Sequence, residues 1–570
     1  MLLVATVVLL AATVRLLHLA VFSHATVFFD PAPWNTPDHP LATGEVDRWA
    51  MQIAHGDLWW TDHGPGTGFP SPVYPYLVAA IYGLLGGRHV LAVAVFSALL
   101  GAITCGLCAG IARRAVSVRA GWLAGGLAAV YGPTIFYESF LLPETLAMFL
   151  TAAALFFTMR WFVADNSQHA DRDADHPGGV HVDAIGFQFH GASADAETGT
   201  RERPAGGLAA GDRPGPLLIA GLLWGAAVAA WPLLVAVAAA VGISLCRRGV
   251  PVGSSHRRRR LAFAGGWFAC GLFIAILPCT VRNVIAEGRF VLISDTTAES
   301  WRIGNSTGSS GAFVETPGTL LTPGSGPWLA LLLRKAGLLF RGGEISQVTD
   351  YTFLRGASPV LSLPVPGFGV VAPLALLGAW ILRRRARDLL PIHALAWITP
   401  FSVMLFFVAG RFRLPGMPAL FVFAAAAGDR LLPARATAFA WGRRLRWGLL
   451  LAVALIVINR PSGAPPGGAP FHRAAAAYYL EMGKIQQANG AAAQALQAYD
   501  VALRLPVRSV RALAHAGRAR VELRLLDDPE AARADLTRSL AIDPAHAEAD
   551  WARATLGTLE QDAGPAAPQQ

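Results

Sequence analysis

The sequence is poor in charge and in cysteine. Only 15% of its 570 residues are charged, against about 25% in an average soluble domain. That shortage excludes an ordinary soluble enzyme and a disordered chain, because both need many polar and charged residues. Five cysteines in a chain of this length exclude a disulfide framework. All five lie in or at the edge of apolar runs: Cys105, Cys108, Cys246, Cys270 and Cys279.

Apolar residues are in excess, at 54% of the chain, and the mean hydropathy is +0.44. Apolar segments recur as far as residue 459, which predicts an all-α polytopic transmembrane bundle of about 11 spans. The break at Trp231-Pro232 leaves a single kinked span over 217–246 as an alternative. The segments are 1–22, 89–112, 119–132, 144–163, 217–230, 232–246, 261–281, 365–382, 389–409, 415–432 and 447–459.

Arginine clusters set the orientation, since cytoplasmic loops carry an excess of basic residues. We therefore assign the net charge of +10 to loop arginines and not to a nucleic-acid surface. With every cluster in the cytoplasm, the segments alternate only if 217–246 forms two short helices. The outward regions are then 23–74, 133–143, 282–364, 410–414 and everything after Asn459. The clusters lie at 113–114, 247–248, 257–260, 383–387 and 443–446.

Composition divides the chain into a membrane domain, residues 1–460, and an outward tail. Residues 164–215 are polar and rich in His, Asp and Gly, which predicts a disordered cytoplasmic insertion. A Pro/Gly-rich linker follows at 461–470. Within 471–562, the stretch ending at Pro506 resembles the stretch ending at Pro544, a spacing close to the roughly 34-residue tetratricopeptide period. We predict a periplasmic tetratricopeptide-repeat domain over 471–562 and a disordered tail over 563–570.

The first outward loop contains the acids Glu45, Asp47 and Asp57. Residues 45–54 can form a helix that lies on the membrane, with Trp49 and Ile53 on one face. A carboxylate held there could act as general base towards an acceptor hydroxyl. The alternative is a solvated loop acid without a catalytic role.

Two further acids, Glu138 and Glu144, belong to the second outward turn. Pro143 starts a helix there, so Glu144 suits the positive end of the helix dipole. Glu138 has no such structural explanation and is the better functional candidate.

Three outward arginines, Arg282, Arg411 and Arg413, stand out against the cytoplasmic trend. An arginine at the membrane edge can bind a phosphate through two parallel hydrogen bonds, and an anionic lipid headgroup offers one. Alternatively, Arg282 caps a helix C-terminus, and the other two place their charges at the membrane interface. No cluster of metal ligands stands out on the outward face, so the sequence leaves a divalent metal open and implies no other cofactor.

These stretches, in this order, resemble bacterial members of the GT-C glycosyltransferase superfamily. The similarity is greatest to the family 39 branch, the dolichyl-phosphate-mannose protein mannosyltransferase-like proteins, with a tetratricopeptide tail. It covers most of residues 1–430 and adds Tyr74, Asn305 and Glu344 as substrate-site candidates. The stretches are Asp47-Arg-Trp-Ala with Gly56-Asp57, Pro72-Val-Tyr-Pro-Tyr, Val130-Tyr-Gly-Pro-Thr-Ile-Phe-Tyr-Glu-Ser-Phe-Leu-Leu-Pro-Glu-Thr, Arg282-Asn with Gly304-Asn305, Gly343-Glu344-Ile-Ser, and Arg411-Phe-Arg-Leu-Pro415.

The resemblance implies an inverting glycosyltransferase of the bacterial inner membrane. A sugar would pass from a polyprenyl-phosphate carrier to a hydroxyl of a protein, lipid or glycan on the periplasmic face. The donor is then a lipid-phosphate sugar, and the other partners are membrane lipid and a periplasmic protein bound by the repeats. No nucleic acid is expected. The rival hypothesis is a non-catalytic scaffold of envelope glycan assembly that acts through its repeats.

The same resemblance assigns roles to the candidate residues. Asp47 or Glu45 would be the base, with Asp38 as a further option, and Glu138 would orient a substrate. Arg282, with Arg411 or Arg413, would stabilise the departing lipid phosphate. The sequence departs from the family pattern twice. Ala42 stands where relatives carry an aspartate, and Trp231 stands where relatives often carry an arginine.

Overall fold

The protein is described here by a computed structural model. The described residues are 2–25, 43–59, 71–174, 214–248, 257–314, 317–347, 350–432, 441–460 and 468–562. Within these ranges the chain is helical, and only two isolated β-bridges interrupt the pattern. The predicted all-α class is therefore confirmed.

The helices follow one another with short connections. Short 3₁₀ helices lie at Pro232–Leu234, Arg355–Ala357, Arg383–Arg385 and Gly410–Gly416. The α-helices are α1 Leu2–Ala25, α2 Thr43–Ala54, α3 Val73–Leu85, α4 Val90–Ala115, α5 Val118–Ala129, α6 Gly132–Tyr137, α7 Glu144–Ala174, α8 Pro214–Ala230, α9 Val235–Arg248, α10 Arg257–Glu287, α11 Thr297–Gly304, α12 Gly326–Leu339, α13 Tyr351–Leu354, α14 Pro359–Ser362, α15 Phe368–Leu382, α16 Leu390–Met404, α17 Met417–Leu431, α18 Trp441–Ile458, α19 Gly468–Ala488, α20 Ala492–Arg504, α21 Arg508–Leu525, α22 Pro529–Ile542 and α23 Ala549–Asp562.

Three of the described helices are long and apolar enough, by length and composition, to cross a membrane. They contain Leu2–Phe22, Val90–Ala115 and Leu261–Glu287. Shorter apolar helices accompany them, and the count of 11 spans stays a prediction. The shorter helices are Val73–Leu85, Glu144–Met159, Gly215–Ala230, Pro232–Arg247, Leu390–Met404 and Leu445–Ile458.

Glycines let two helix pairs approach closely. A Cβ on Gly221 of α8 would lie 2.1 Å from the carbonyl oxygen of Phe268 in α10. A Cβ on Gly378 of α15 would lie 1.7 Å from the carbonyl oxygen of Phe423 in α17. Small residues at such crossings bring the backbones together where lipid offers no hydrophobic driving force. The second crossing forms one side of the site described below.

The first outward loop departs from the prediction. Helix α2 forms as expected, but Trp49 and Ile53 do not lie on the membrane; they are buried in a cluster with Tyr74 and Val78 of α3. Helix α3 is apolar, yet the sequence reading placed no segment there. The apolar face of α2 is covered because the next helix in the chain supplies a matching face.

Other boundaries shift as well. The chain breaks at Trp231 between α8 and α9, which favours two helices over one kinked span. Helix α7 runs to Ala174, into the insertion predicted to be disordered, while residues 175–213 lie outside the described part. Helix α19 begins at Gly468, inside the predicted linker, and the predicted tail at 563–570 is also outside the described residues.

Helices α19–α23 pack consecutively, each against the next. The ring of Tyr499 in α20 fits between Gly483 of α19 and Gly517 of α21, where any Cβ would meet it. This stack touches the membrane part through a 3.0 Å contact between His472 Nε2 and Asp350 Oδ2, and through Ala475, Ala476 and Leu505, which belong to the main apolar core cluster. Its assignment as a tetratricopeptide domain remains a prediction.

Candidate functional site

Asp47 was the first candidate for the base, and the structure holds it in place. The Arg88 guanidinium lies 2.6 Å from Asp47 Oδ2, and the Tyr82 hydroxyl donates to Oδ1 at 2.6 Å. Asp47 is buried. Its carboxylate thus joins α2 to α3 and to the turn that follows α3, an arrangement that stabilises the fold.

Glu138, predicted to orient a substrate, also has an internal partner. Arg15 Nε of α1 lies 2.7 Å from Glu138 Oε2, and both side chains are buried. Arg15 further donates to the carbonyl oxygen of Ala129 at 3.0 Å. The carboxylate packs against Gly101 of α4, where a Cβ would collide with it. The pair therefore ties α1 to the turn before α7.

Glu144 and Arg411 are brought together across the structure. Arg411 Nη1 lies 2.5 Å from Glu144 Oε1, and Arg411 Nη2 donates to Gln347 Oε1 at 3.1 Å. Glu144 begins α7, as its place beside Pro143 predicted. We call the 3₁₀ helix Gly410–Gly416, which carries Arg411 and Arg413, the arginine segment.

Arg413 is the candidate whose hydrogen-bonding capacity is least used. It is buried, stacks at 4.0 Å on the Phe368 ring and donates through Nη2 to the Leu338 carbonyl oxygen at 3.0 Å. Its Nε and Nη1 make no hydrogen bond, and Nη1 is 3.7 Å from Glu344 Oε1. Buried polar groups are almost always hydrogen-bonded in proteins, so Arg413 keeps donors that an anion could use.

Glu344, across from Arg413, is buried with its Oε2 unbonded. Burial raises the pKa of its carboxyl, and Arg413 opposes that shift. Gly410 is required beside it, since a Cβ there would lie 2.1 Å from Glu344 Oε2. The 344–347 loop and the arginine segment are also joined by the backbone hydrogen bond from Gly410 to the Ile345 carbonyl, 2.9 Å.

Arg413 lies on the wall of an apolar groove. Its space is about 540 Å³, counting the open mouth. The polar side chains on its wall are Arg413 and Thr399, and the Thr399 hydroxyl makes no hydrogen bond. The remaining lining residues are Leu339, Phe340, Phe368, Ala372, Ala375, Leu376, Ala396, Trp397, Pro400, Val403, Phe412, Gly416 and Leu420. An apolar channel with a cation on its wall suits a long hydrocarbon that carries an anionic head.

Arg282 belongs to a different group of contacts. Its Nε donates to the Trp59 carbonyl oxygen at 2.9 Å, and its Nη1 donates to Asn283 Oδ1 at 3.2 Å. It therefore fixes the first outward loop to the end of α10. These hydrogen-bond partners differ from those of Arg411 and Arg413.

The remaining candidates vary in position. Tyr74 is buried between α2 and α3, Asp57 lies half-buried after α2, and Asn305 is fully buried. Glu45 lies in α2, but its side chain is outside the described part, as are Asp38 and Ala42 altogether.

Sequence reasoning missed several functional neighbours. Trp231 packs edge-on against Phe412 of the arginine segment, with ring centroids 5.2 Å apart, so the residue noted as a departure does adjoin this site. Lys335 and Thr399 were not singled out, since neither belongs to a recognisable motif. Arg15 offered a signal, a lone arginine inside an apolar run. Among the described residues no group of three or more metal-ligating side chains is present.

Comparison with known proteins gives weak similarity of fold. No protein-family model matches the chain, and no curated protein is detectably similar in sequence. ArnT from Cupriavidus metallidurans, solved bound to undecaprenyl phosphate, is 16% identical with a TM-score of 0.42; the match covers 97% of this chain and 77% of ArnT. An apo oligosaccharyltransferase from Archaeoglobus fulgidus is 14% identical with a TM-score of 0.39, over 83% of this chain and 57% of that protein.

AglB from Archaeoglobus fulgidus, solved with an inhibitory peptide and a dolichol-phosphate, is 15% identical with a TM-score of 0.38. The match covers 84% of this chain and 58% of AglB. The chain thus spans less than two thirds of the length of these oligosaccharyltransferases. Because these TM-scores are low, a function for this chain must be inferred from its own residues.

Proposed function

We propose that this chain is an integral-membrane inverting glycosyltransferase of the bacterial inner membrane, of the GT-C type. It takes a hexose or pentose from a polyprenyl-phosphate carrier and transfers it to a hydroxyl acceptor on the periplasmic face. The observation that carries this proposal is the apolar groove whose wall includes Arg413, a buried arginine with two side-chain nitrogens that make no hydrogen bond. The prenyl chain lies in the groove, and its phosphate accepts from Arg413.

The arrangement of charges supports transfer from a lipid phosphate. Negative charge develops on the leaving phosphate as its bond to the sugar breaks, and a preorganised guanidinium stabilises it. Arg413 is held by Phe368 and Leu338, so it needs little reorganisation when the phosphate departs. Arg411, two residues away, is paired with Glu144 and Gln347, and these contacts fix the arginine segment that carries Arg413.

The acceptor base is reassigned within the first outward loop. Both oxygens of Asp47 are engaged by Arg88 and Tyr82, so we assign Asp47 to holding α2 in position. Asp38, Glu45 and Asp57 then remain as carboxylates of that loop to test as the base. Glu138 likewise supports the fold through Arg15.

The test measures binding and transfer by the purified full-length protein in nanodiscs. Arg413→Gln should weaken binding of a polyprenyl phosphate at least tenfold, about the effect of losing a hydrogen bond between charged groups. Arg383→Gln is the matched control, because Arg383 lies on the 3₁₀ turn after α15 and stacks on Trp380. Unchanged phosphate binding in the Arg413 variant would overturn the proposed role of the groove.

The scaffold hypothesis is the second candidate, and one observation favours it. Asp47, the first-loop carboxylate whose contacts are described most fully, is occupied by internal partners. A scaffold would bind the carrier lipid but release no sugar from any polyprenyl-phosphate donor in a panel of hexoses and pentoses. In either case we propose that helices α19–α23 bind a periplasmic protein partner.

A further inference from the structure

Lys335 of α12 is completely buried, although it carries a charge. It is one of two lysines in the chain, with Lys484, and the other basic side chains are arginines and histidines. Its side chain is 0% exposed, and no carboxylate lies within ion-pair distance of it among the described residues. Burial lowers its pKa to about 8. Burying an ammonium group without an acidic partner costs free energy, so another contact must compensate for it.

That contact is Asn305, at the end of α11. Lys335 Nζ donates to Asn305 Oδ1 at 3.0 Å, and Trp328 Nε1 donates to the same oxygen at 3.1 Å. The Asn305 amide nitrogen donates to the carbonyl oxygens of Trp301, 3.0 Å, and Leu405, 2.8 Å. The amide therefore has both donors in use, which leaves it unsuited to contacting a substrate.

The Leu405 carbonyl begins the stretch that leads into the arginine segment. Gly304 lies against that stretch, since a Cβ there would come within 2.1 Å of the Phe406 carbonyl oxygen. Farther along, the Val408 amide donates to the Gly311 carbonyl at 2.9 Å. The path of residues 405–408 is thus set by contacts with α11 and the loop that follows it.

Helix α12 also contacts the arginine segment directly. Arg413 Nη2 donates to the carbonyl oxygen of Leu338, which lies one turn after Lys335. Leu339, the last residue of α12, and the following Phe340 line the groove. A shift of α12 would therefore move the acceptor of Arg413 and the groove wall together.

We propose that Lys335 and Asn305 form a positioning pair. The pair fixes α12 relative to residues 405–413 and so orients the unbonded donors of Arg413 towards the carrier phosphate. This inference rests on the proposed function of the groove. Neither residue touches the ligand; both act through the backbone that carries Arg413. The buried ammonium is retained because it supplies a strong donor to an amide whose geometry fixes that backbone.

The experiment compares two probes, a polyprenyl phosphate and the corresponding polyprenol, bound to full-length protein in nanodiscs. Lys335→Met should weaken phosphate binding about five- to twentyfold. This is the range expected when the charge-assisted hydrogen bond from Arg413 to the phosphate loses its proper geometry. Polyprenol binding should weaken clearly less than phosphate binding, because α12 and the next residue contribute only Leu339 and Phe340 to the apolar wall, whereas polyprenol makes no use of Arg413. Arg334→Met is the matched control, since Arg334 is the exposed neighbour on the same helix. It should bind both probes as the wild type does.

Asn305→Ser removes the hydrogen bond between Lys335 and Asn305 by changing its acceptor. It is the variant to use where Lys335→Met fails to fold. Lys335→Gln keeps a donor and should restore most of the phosphate affinity. Equal losses for phosphate and polyprenol, or no loss for either, would overturn the positioning role. The proposed function fails separately, since it requires Arg413→Gln to lose phosphate binding whatever the Lys335 variants do.

Discussion

Asp47 and Arg88 form a buried ion pair with 2.6 Å between Oδ2 and Nε, and the Tyr82 hydroxyl occupies the second carboxylate oxygen. A general base needs an oxygen within reach of the acceptor proton. In this arrangement the carboxylate instead links α2 to the end of α3. We therefore propose that Asp47, one of the acids that the family resemblance offers as the base, has a structural role in this chain.

The first prediction compares the two halves of that pair. Asp47→Asn and Arg88→Gln should both lower the free energy of unfolding by about 2–4 kcal/mol, since each removes the same ion pair between mostly buried side chains. Thermal unfolding of the detergent-solubilised protein measures this loss. Residual transfer activity per folded molecule should be similar in the two variants.

A catalytic Asp47 gives a different pattern. Asp47→Asn would then abolish transfer in molecules that remain folded, while Arg88→Gln would retain most of it. Asp38→Asn, Glu45→Gln and Asp57→Asn are assayed alongside, because the base is expected among these three acids.

The second prediction concerns Arg15 and Glu138. Replacing either alone leaves a buried charge without its partner, which should cost about 3–5 kcal/mol. The double variant Arg15→Met, Glu138→Met removes both charges and should recover more than half of that loss. A double variant that is as unstable as the sum of the single variants would show that the two residues do not act as a pair.

The sequence predicted the helical class and many helix positions because apolar runs and arginine clusters are local signals. Helix α4 lies within a few residues of its predicted span at both ends. Partners were not predictable in the same way. Arg15 and Glu138 are 123 positions apart, and nothing local to either residue reveals that they meet.

The candidate site was likewise only partly predictable from the sequence. Arg411 and Arg413 were predicted from a short outward motif, and Arg413 lies on the wall of an apolar groove. Lys335 was not picked out, because its significance depends on the burial of α12 against Asn305. Asn305 was expected at the substrate, but its amide is used by four internal contacts.

The third prediction addresses the crossing of α15 and α17 beside the groove. Gly378→Ala would push a methyl group into the carbonyl oxygen of Phe423, so the helices must separate. We expect a loss of stability of about 1–3 kcal/mol and weaker carrier binding. Gly448→Ala in α18 is the matched control, because no atom lies within 4 Å of its added Cβ. That change should be neutral or stabilise by up to about 1 kcal/mol.

The fourth prediction concerns the pH dependence of the C-terminal helices. Burial, together with the nearby Asp535 carboxylate, raises the pKa of Glu522 to about 7. Arg518 lies between these acids, with Nε 2.8 Å from Asp535 Oδ2 and Nη2 3.5 Å from Glu522 Oε1. His515 Nδ1 contacts the other Asp535 oxygen at 3.0 Å, and Asp500 also pairs with Arg518.

The sign follows from proton linkage. Between the ordinary carboxyl value near 4.3 and about 7, the folded Glu522 keeps a proton that the unfolded chain has released. Stability of α21 and α22 should therefore fall as pH rises through this window. Glu522→Gln keeps the neutral form at every pH, so its stability should change less and exceed that of the wild type by about 1–2 kcal/mol at pH 8.

Amide hydrogen exchange of α21 and α22 in the full-length protein measures this difference. Exchange at each pH is compared between wild type and variant, which removes the intrinsic pH dependence of the chemistry. Glu530→Gln serves as the control, because Glu530 is an exposed acid in the first turn of α22. Parallel profiles for the wild type and Glu522→Gln would show that Glu522 titrates as an ordinary surface acid. His515 and Arg518 lower the pKa of Asp535 against the effect of burial. In that outcome, the contacts of Arg518 would shift the pKa of Asp535 but not that of Glu522.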